Sequence, residues 1–152
     1  MKILDLANNI WRGELEEADN TSISKIVAWL LAHVGDLNDQ IGSSYQVSGN
    51  DITPELGDSE SIILNYLYLL NYYNRQIQNN LGASAYDWSE VKEGDSSVRR
   101  VSKNEIAKTY KILASDTKDY LTKLIEAYKR HHCITASIHS NIDAYTKILQ
   151  QP

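Results

Sequence analysis

IILNYLYLLNYY, residues Ile62 to Tyr73, decides the fold. Ten of its twelve residues are aliphatic or aromatic. A helix with one wet face does not read like this, so the run predicts a central helix covered on most sides. Asp58, Ser59 and Glu60 favour a helix start, and Gly82 favours a stop, which sets the helix at about Asp58 to Leu81. At 12 residues the run is too short to span a bilayer. Tyr66, Tyr68, Tyr72 and Tyr73 each carry a hydroxyl that needs a partner or water. The core is the expected place for these tyrosines more than ligand stacking. So wide an apolar surface also points to cover from other subunits, with the same four side chains as candidate interface residues.

Working outward toward the N-terminus, Ile23, Ile26, Val27, Leu30, Leu31 and Val34 share one helical face. Thr21 or Ser22 is placed to cap that helix, and Gly35 is where a left-handed C-terminal cap is expected. Residues 36–57 read as a long connection ordered by partners, with one helical turn over Asp36–Ile41 and a brief strand at Tyr45–Val47. Residues 1–20 read as a leader. Their acidic set Glu14, Glu16, Glu17 and Asp19 fits a solvated segment better than a cation site.

Toward the C-terminus, Trp88, Val91, Val98 and Val101 flank the turn Glu93-Gly94-Asp95-Ser96, which predicts a β-hairpin or extended arm near 88–101. Ser102-Lys-Asn-Glu105 matches a capping box and opens a third helix. Its stripe is Ile106, Tyr110, Leu113, Ala114, Thr117, Leu121, Leu124, Ile125 and Tyr128, close to heptad spacing. Its polar face carries Lys108, Lys111, Lys118, Lys123 and Lys129, and its end is expected near Arg130 or His131. The remaining tail holds Ile138, Ile142, Tyr145, Ile148 and Leu149 at spacings near four, the pattern of a short helix that docks on another protein.

The fold class that follows is mainly α. It is a helical bundle built on two long helices and a shorter N-terminal helix, with a small hairpin or arm and a C-terminal docking tail. The organisation is a leader at 1–20, a helical core at 21–131 and a tail at 132–152. The whole is 152 residues, one domain of ordinary size, and 42% hydrophobic with 23% charged residues is a globular composition. The single Cys133 excludes an internal disulfide framework. The N-terminal residues turn acidic at once, unlike a secretory signal.

The net charge of −5 is unevenly divided. Residues 1–98 hold 5 basic and 15 acidic side chains, a net of −10, while residues 99–131 hold 9 basic and 4 acidic, a net of +5. Such a chain can attract an acidic ligand, nucleic acid, or the acidic part of its own neighbour. Arg99 and Arg100 with the lysines of the third helix are a possible phosphate contact, but Asp116, Asp119 and Glu126 interrupt the stripe and the isoelectric point is near 5.3. No helix-turn-helix arrangement is legible.

Catalytic motifs are absent: there is no GxGxxG, phosphate loop, GxSxG or HExxH. His131-His132-Cys133 with His139 is the only group with metal-ligand chemistry. Adjacent ligands on a helix diverge, so a tetrahedral zinc site is not expected there. Imidazole near a helix C-terminus is the simpler account. The expectation is no enzyme, no cofactor and no metal.

Four segments together carry a resemblance: Val27–Tyr45, Asn65–Gly82, Val91–Ala114 and Ala127–Arg130. The most specific is EGDSSVRRVSKNEIAKTY, Glu93 to Tyr110. Over about residues 21–130 the chain resembles the neck or connector adaptor proteins of tailed bacteriophages, which sit at the head–tail junction beneath the portal. That resemblance implies a helical subunit of a ring, often dodecameric, that extends the DNA channel without reading its sequence. It also implies contacts with the portal and with the next neck or tail protein, assembly in the host cytoplasm and a place in the virion, with no membrane. Arg99 and Arg100 would join the tyrosines at the subunit interface, and the apolar tail positions would dock on portal or tail. The alternative expectation is a small dimeric helical binding module or regulator with the tyrosine-rich helix at about Asp58 to Leu81 as its dimer face.

Overall fold

The computed structural model describes residues 1–83, 90–93, 96–99 and 103–149, and for 82–83, 90–93, 96–99 and 134–149 it describes the backbone alone. Five helices and two small hairpins follow one another along the chain. They are α1 (Ile3–Asn9), running into a π-helical turn at Ile10–Glu14, α2 (Ile23–Ala32), α3 (Val34–Ile41), β1 (Gln46–Ser48), β2 (Asp51–Thr53), α4 (Asp58–Ala83), β3 (Glu90–Glu93), β4 (Ser96–Arg99) and α5 (Lys103–Leu149). The molecule is mainly helical, with two long helices, as the sequence predicts.

The pair α4 and α5 forms the most extensive contact in the molecule. The helices run antiparallel: Ile77 and Leu81 of α4 line one groove with Asn104 and Ala107 of α5, and Ser59 and Ile63 line another with Tyr128 and His131. Ala107, Ala114 and Leu121 are buried at seven-residue intervals, the repeat of a coiled-coil seam. On α4 the buried positions are Ile63, Leu64, Tyr68, Leu69 and Tyr72. From Ile63 to Tyr73 every position is buried or half-buried, so this stretch of α4 is covered on most sides, as its sequence predicts; within the run Ile62 alone is exposed, at 45%.

The first 20 residues are not a leader outside the body. Ile3, Leu6, Ala7 and Ile10 are buried in the same cluster as Ile26, Leu30, Ile63 and Leu64. The i, i+3, i+4, i+7 spacing of those four residues closes one face of a helix. The π-helical turn ends at Leu15, and Glu16 and Glu17 follow with φ of 48° and 58°, in the left-handed region. The Glu17 N–H returns to the Trp11 carbonyl at 2.8 Å and closes that end.

Gly35 is not the end of the next helix. The break falls at His33, with φ −108° and ψ 19°, and Gly35 lies inside α3. The His33 ring stacks on Trp29 at 3.8 Å, and its Nδ1–H donates to the Trp29 carbonyl at 2.8 Å. The ring N–H thus adds a second donor to a carbonyl that already accepts the His33 backbone N–H at 3.1 Å. The left-handed cap comes at Gly42, with φ 69°, at the end of α3.

Residues 36–57 are packed within the subunit. Asn38 is the anchor: its Nδ2 donates to the Tyr45 carbonyl at 2.8 Å, and its Oδ1 accepts from Tyr45 N–H at 2.9 Å and Ser43 Oγ at 2.8 Å. The strand expected at Tyr45–Val47 is β1, paired antiparallel with β2 in the register Gln46–Thr53, Val47–Ile52 and Ser48–Asp51. Ile52 and Leu56 close over the core.

The arm is an antiparallel hairpin with Glu90 opposite Arg99 and Glu93 opposite Ser96. Trp88, Gly94, Asp95, Arg100, Val101 and the capping Ser102 lie outside the described residues. α5 does not stop near Arg130 or His131. It is one helix of 47 residues to Leu149, so the expected separate tail helix is its continuation. No glycine or proline interrupts residues 103–149, and the helix runs on through His131 and His132.

Candidate interaction surfaces

The α4–α5 pair leaves two long edges, and the two differ in chemistry. The first edge is aromatic and acidic. Tyr66 of α4 lies against Tyr120 of α5 with ring centroids 4.8 Å apart, and Tyr73 lies 6.1 Å from Tyr110. Tyr120 remains 48% exposed and Leu113, seven residues earlier, 39%. Burial first, then the Tyr120 phenol and the Glu14 carboxylate, raise the Tyr66 phenol above its ordinary value. Burial and Glu14 also raise Tyr73. Asn20, at the end of the turn that carries exposed Glu14, Glu16, Glu17 and Asp19, accepts from the Tyr72 hydroxyl at 3.3 Å, which sets this acidic turn beside the tyrosines of α4. Arg12 approaches Glu17 at 3.9 Å; among the described residues, no cation lies within ion-pair distance of Glu14, Glu16 or Asp19.

The second edge is basic and aliphatic. Lys108 and Lys111 border a groove of about 310 Å³ with Ile77 and Leu81, and on its outer side they share a shelf with Ser115 and Ile112, which is 62% exposed. Lys118 continues the row one heptad beyond Lys111. Among the described residues no carboxylate lies within ion-pair distance of Lys108, Lys111 or Lys118.

Helical phase explains the separation. At about 100° per residue, Lys111 and Lys118 fall to one side of the buried Ala114–Leu121 line, while Leu113 and Tyr120 fall to the other. Sequence alone names these lysines as a polar face. Sorting them into an edge requires knowing which face α4 covers.

The sequence-derived interface residues divide in the same way. Tyr68 and Tyr72 are core residues: Tyr68 shares a hydrogen bond with Thr21 Oγ1 at 3.3 Å, and Tyr72 donates to Asn20 Oδ1 at 3.3 Å. They are not available to a neighbour. Tyr66 and Tyr73 stay half-buried on the first edge. Arg99 ends β4, its side chain outside the described residues, as is Arg100 entirely.

The tail positions Ile138, Ile142, Tyr145, Ile148 and Leu149 lie on the last turns of α5, with side chains outside the described residues. Ile142 and Leu149 keep the seven-residue phase of Ala114, Leu121 and Tyr128, and Ile138 and Tyr145 keep that of Tyr110 and Leu124. α4 begins at Asp58, level with Tyr128–His132, so these turns run on past its start for about 25 Å.

The histidine cluster is engaged locally. His132 stacks on Tyr128 at 4.0 Å, and its Nδ1–H donates to the Tyr128 carbonyl at 3.1 Å. Cys133 is exposed, and the His139 side chain lies outside the described residues. Among the described residues, no three His, Cys, Asp or Glu side chains converge as a metal site, and no helix is long and apolar enough to cross a membrane. Comparison with protein-family models, with curated proteins and with solved structures finds no match to this chain.

Proposed function

We propose that this chain is a structural virion protein: an adaptor subunit of the head–tail connector ring beneath the portal, which extends the DNA channel and joins head to tail. The observation that carries the reading is α5. A single 47-residue helix carries apolar residues at heptad spacing on both sides of a polar break at His131 and Thr135, and outruns the α4 helix it packs on. A helix built this way suits a subunit whose body sits in one layer and whose end reaches a portal or tail protein. The segment that most resembles connector proteins, Glu93–Tyr110, runs from the last residue of β3 through β4 into the first turns of this helix. The acidic balance of the chain suits a channel wall that lets duplex DNA pass without gripping its phosphates.

For the alternative of a dimeric regulator built on α4, Tyr68 and Tyr72 are occupied inside the subunit, while Tyr66 and Tyr73 stay half-buried. The test is cryo-electron microscopy of the neck of purified virions. Density for α4 and α5 arranged about the channel axis is expected. A neck whose density is fully accounted for by other chains would overturn the reading.

A further inference from the structure

The two edges of the α4–α5 pair are complementary to each other and lie on opposite sides of the same seam. One copy cannot bring its own two edges together, because the seam itself separates them. A second copy can. We infer that copies of this chain associate head to tail, the Lys111–Lys118 edge of one docking on the Glu14–Asp19 turn and adjoining Tyr120 of the next. The inference rests on the self-assembly in the reading above and not on its placement in a virion.

Three observations support a second copy as the occupant. The charges are opposite in sign and equal in number: Lys108, Lys111 and Lys118 on one edge, and Glu14, Glu16 and Asp19 on the other, all exposed and all without an ion-pair partner among the described residues. Each edge also carries apolar area beside its charge, Ile112 on the basic one and Leu113 and Tyr120 on the acidic one. Desolvated apolar contacts supply affinity, while surrounding charge supplies steering and register. The edges are different surfaces, so the contact is heterologous and propagates, closing into a ring when the rotation between copies permits.

Charge reversal tests the pairing with the full chain. Lys111→Glu with Lys118→Glu makes both edges acidic, and Glu14→Lys with Asp19→Lys makes both basic. All four positions are exposed, so circular dichroism should show unchanged helix content. By sedimentation velocity at low salt, the wild type is expected to assemble. Each reversed variant alone should lose the assembled species, and a mixture of the two should regain it as an alternating complex. The milder Lys111→Gln with Lys118→Gln should weaken assembly without abolishing it. A wild type that stays monomeric would overturn the inference and the ring together. A wild type that assembles with variants that still assemble alone, or a mixture that does not recover, would overturn the pairing and leave the ring standing.

Discussion

The Tyr128 hydroxyl donates to Glu60 Oε1 at 2.8 Å and so ties α5 to the first turn of α4 across 68 residues of sequence. Glu60 also faces Gly57, where an added Cβ would stand 2.5 Å from its Oε2. The carboxylate thus connects the loop before α4 with the far end of the helix pair.

Removing that tie should be measurable and non-additive. Tyr128→Phe should lower stability by about 1–2 kcal/mol, the range for a hydrogen bond to a charged acceptor that is not fully buried. Gly57→Ala should displace the same carboxylate. Urea denaturation of the two single variants and the double variant should therefore show a double change smaller than the sum.

Alkali should unfold the subunit. Burial raises the phenols of Tyr45, Tyr66, Tyr68, Tyr73, Tyr110 and Tyr128, and the Glu60 carboxylate adds to the rise at Tyr45 and Tyr128. The folded state then holds protons that the unfolded state releases near the ordinary value of 10.0. The resulting stability is fully present below that pH and is lost as pH rises through the folded-state values. Melting temperature should fall steeply above it, with tyrosinate absorbance appearing together with loss of helix signal.

The N-terminal segment should be indispensable to the fold. Ile10 is fully buried against the core, so Ile10→Ala should cost about 2–5 kcal/mol, the range for emptying a buried aliphatic site. A solvated leader would lose nothing measurable in the same melt.

At Gly42 the cost should come from the backbone alone. Its φ is 69° and nothing lies within 4 Å of a Cβ built there. Gly42→Ala should lower stability by about 1–2 kcal/mol through the left-handed conformation. Gly35→Ala, inside α3 with equal room, should be neutral or stabilising.

Removal of Ile138–Pro152 should separate folding from docking. The body should keep its melting transition, since the described core residues all lie before this segment. Co-purification with the portal or tail partner should be lost.

These contrasts show how far the sequence reaches. The pair of long helices was legible because an unbroken apolar run and a heptad stripe each have one structural solution. The hairpin at 90–99 was legible from its turn residues. The end of α2 was not, because His33 caps it through a ring nitrogen and a stack on Trp29, a tertiary device with no positional signature. The N-terminal helix was hidden by the acidic turn that follows it, although Ile3, Leu6, Ala7 and Ile10 carry helical spacing. The end of α5 was placed too early because a histidine pair looked like a terminus where no breaker stands. Of the candidate surfaces, the charge split between residues 1–98 and 99–131 was visible in the sequence. Its division into two edges depended on the phase of Ala114 and Leu121, which only packing fixes.

The central claim is most directly tested by quantitative mass spectrometry of purified virions, with peptides of this chain measured against those of the portal protein. The account predicts its presence in mature particles at a ring-like stoichiometry comparable to the portal. Its absence from particles that retain portal and tail would contradict the account.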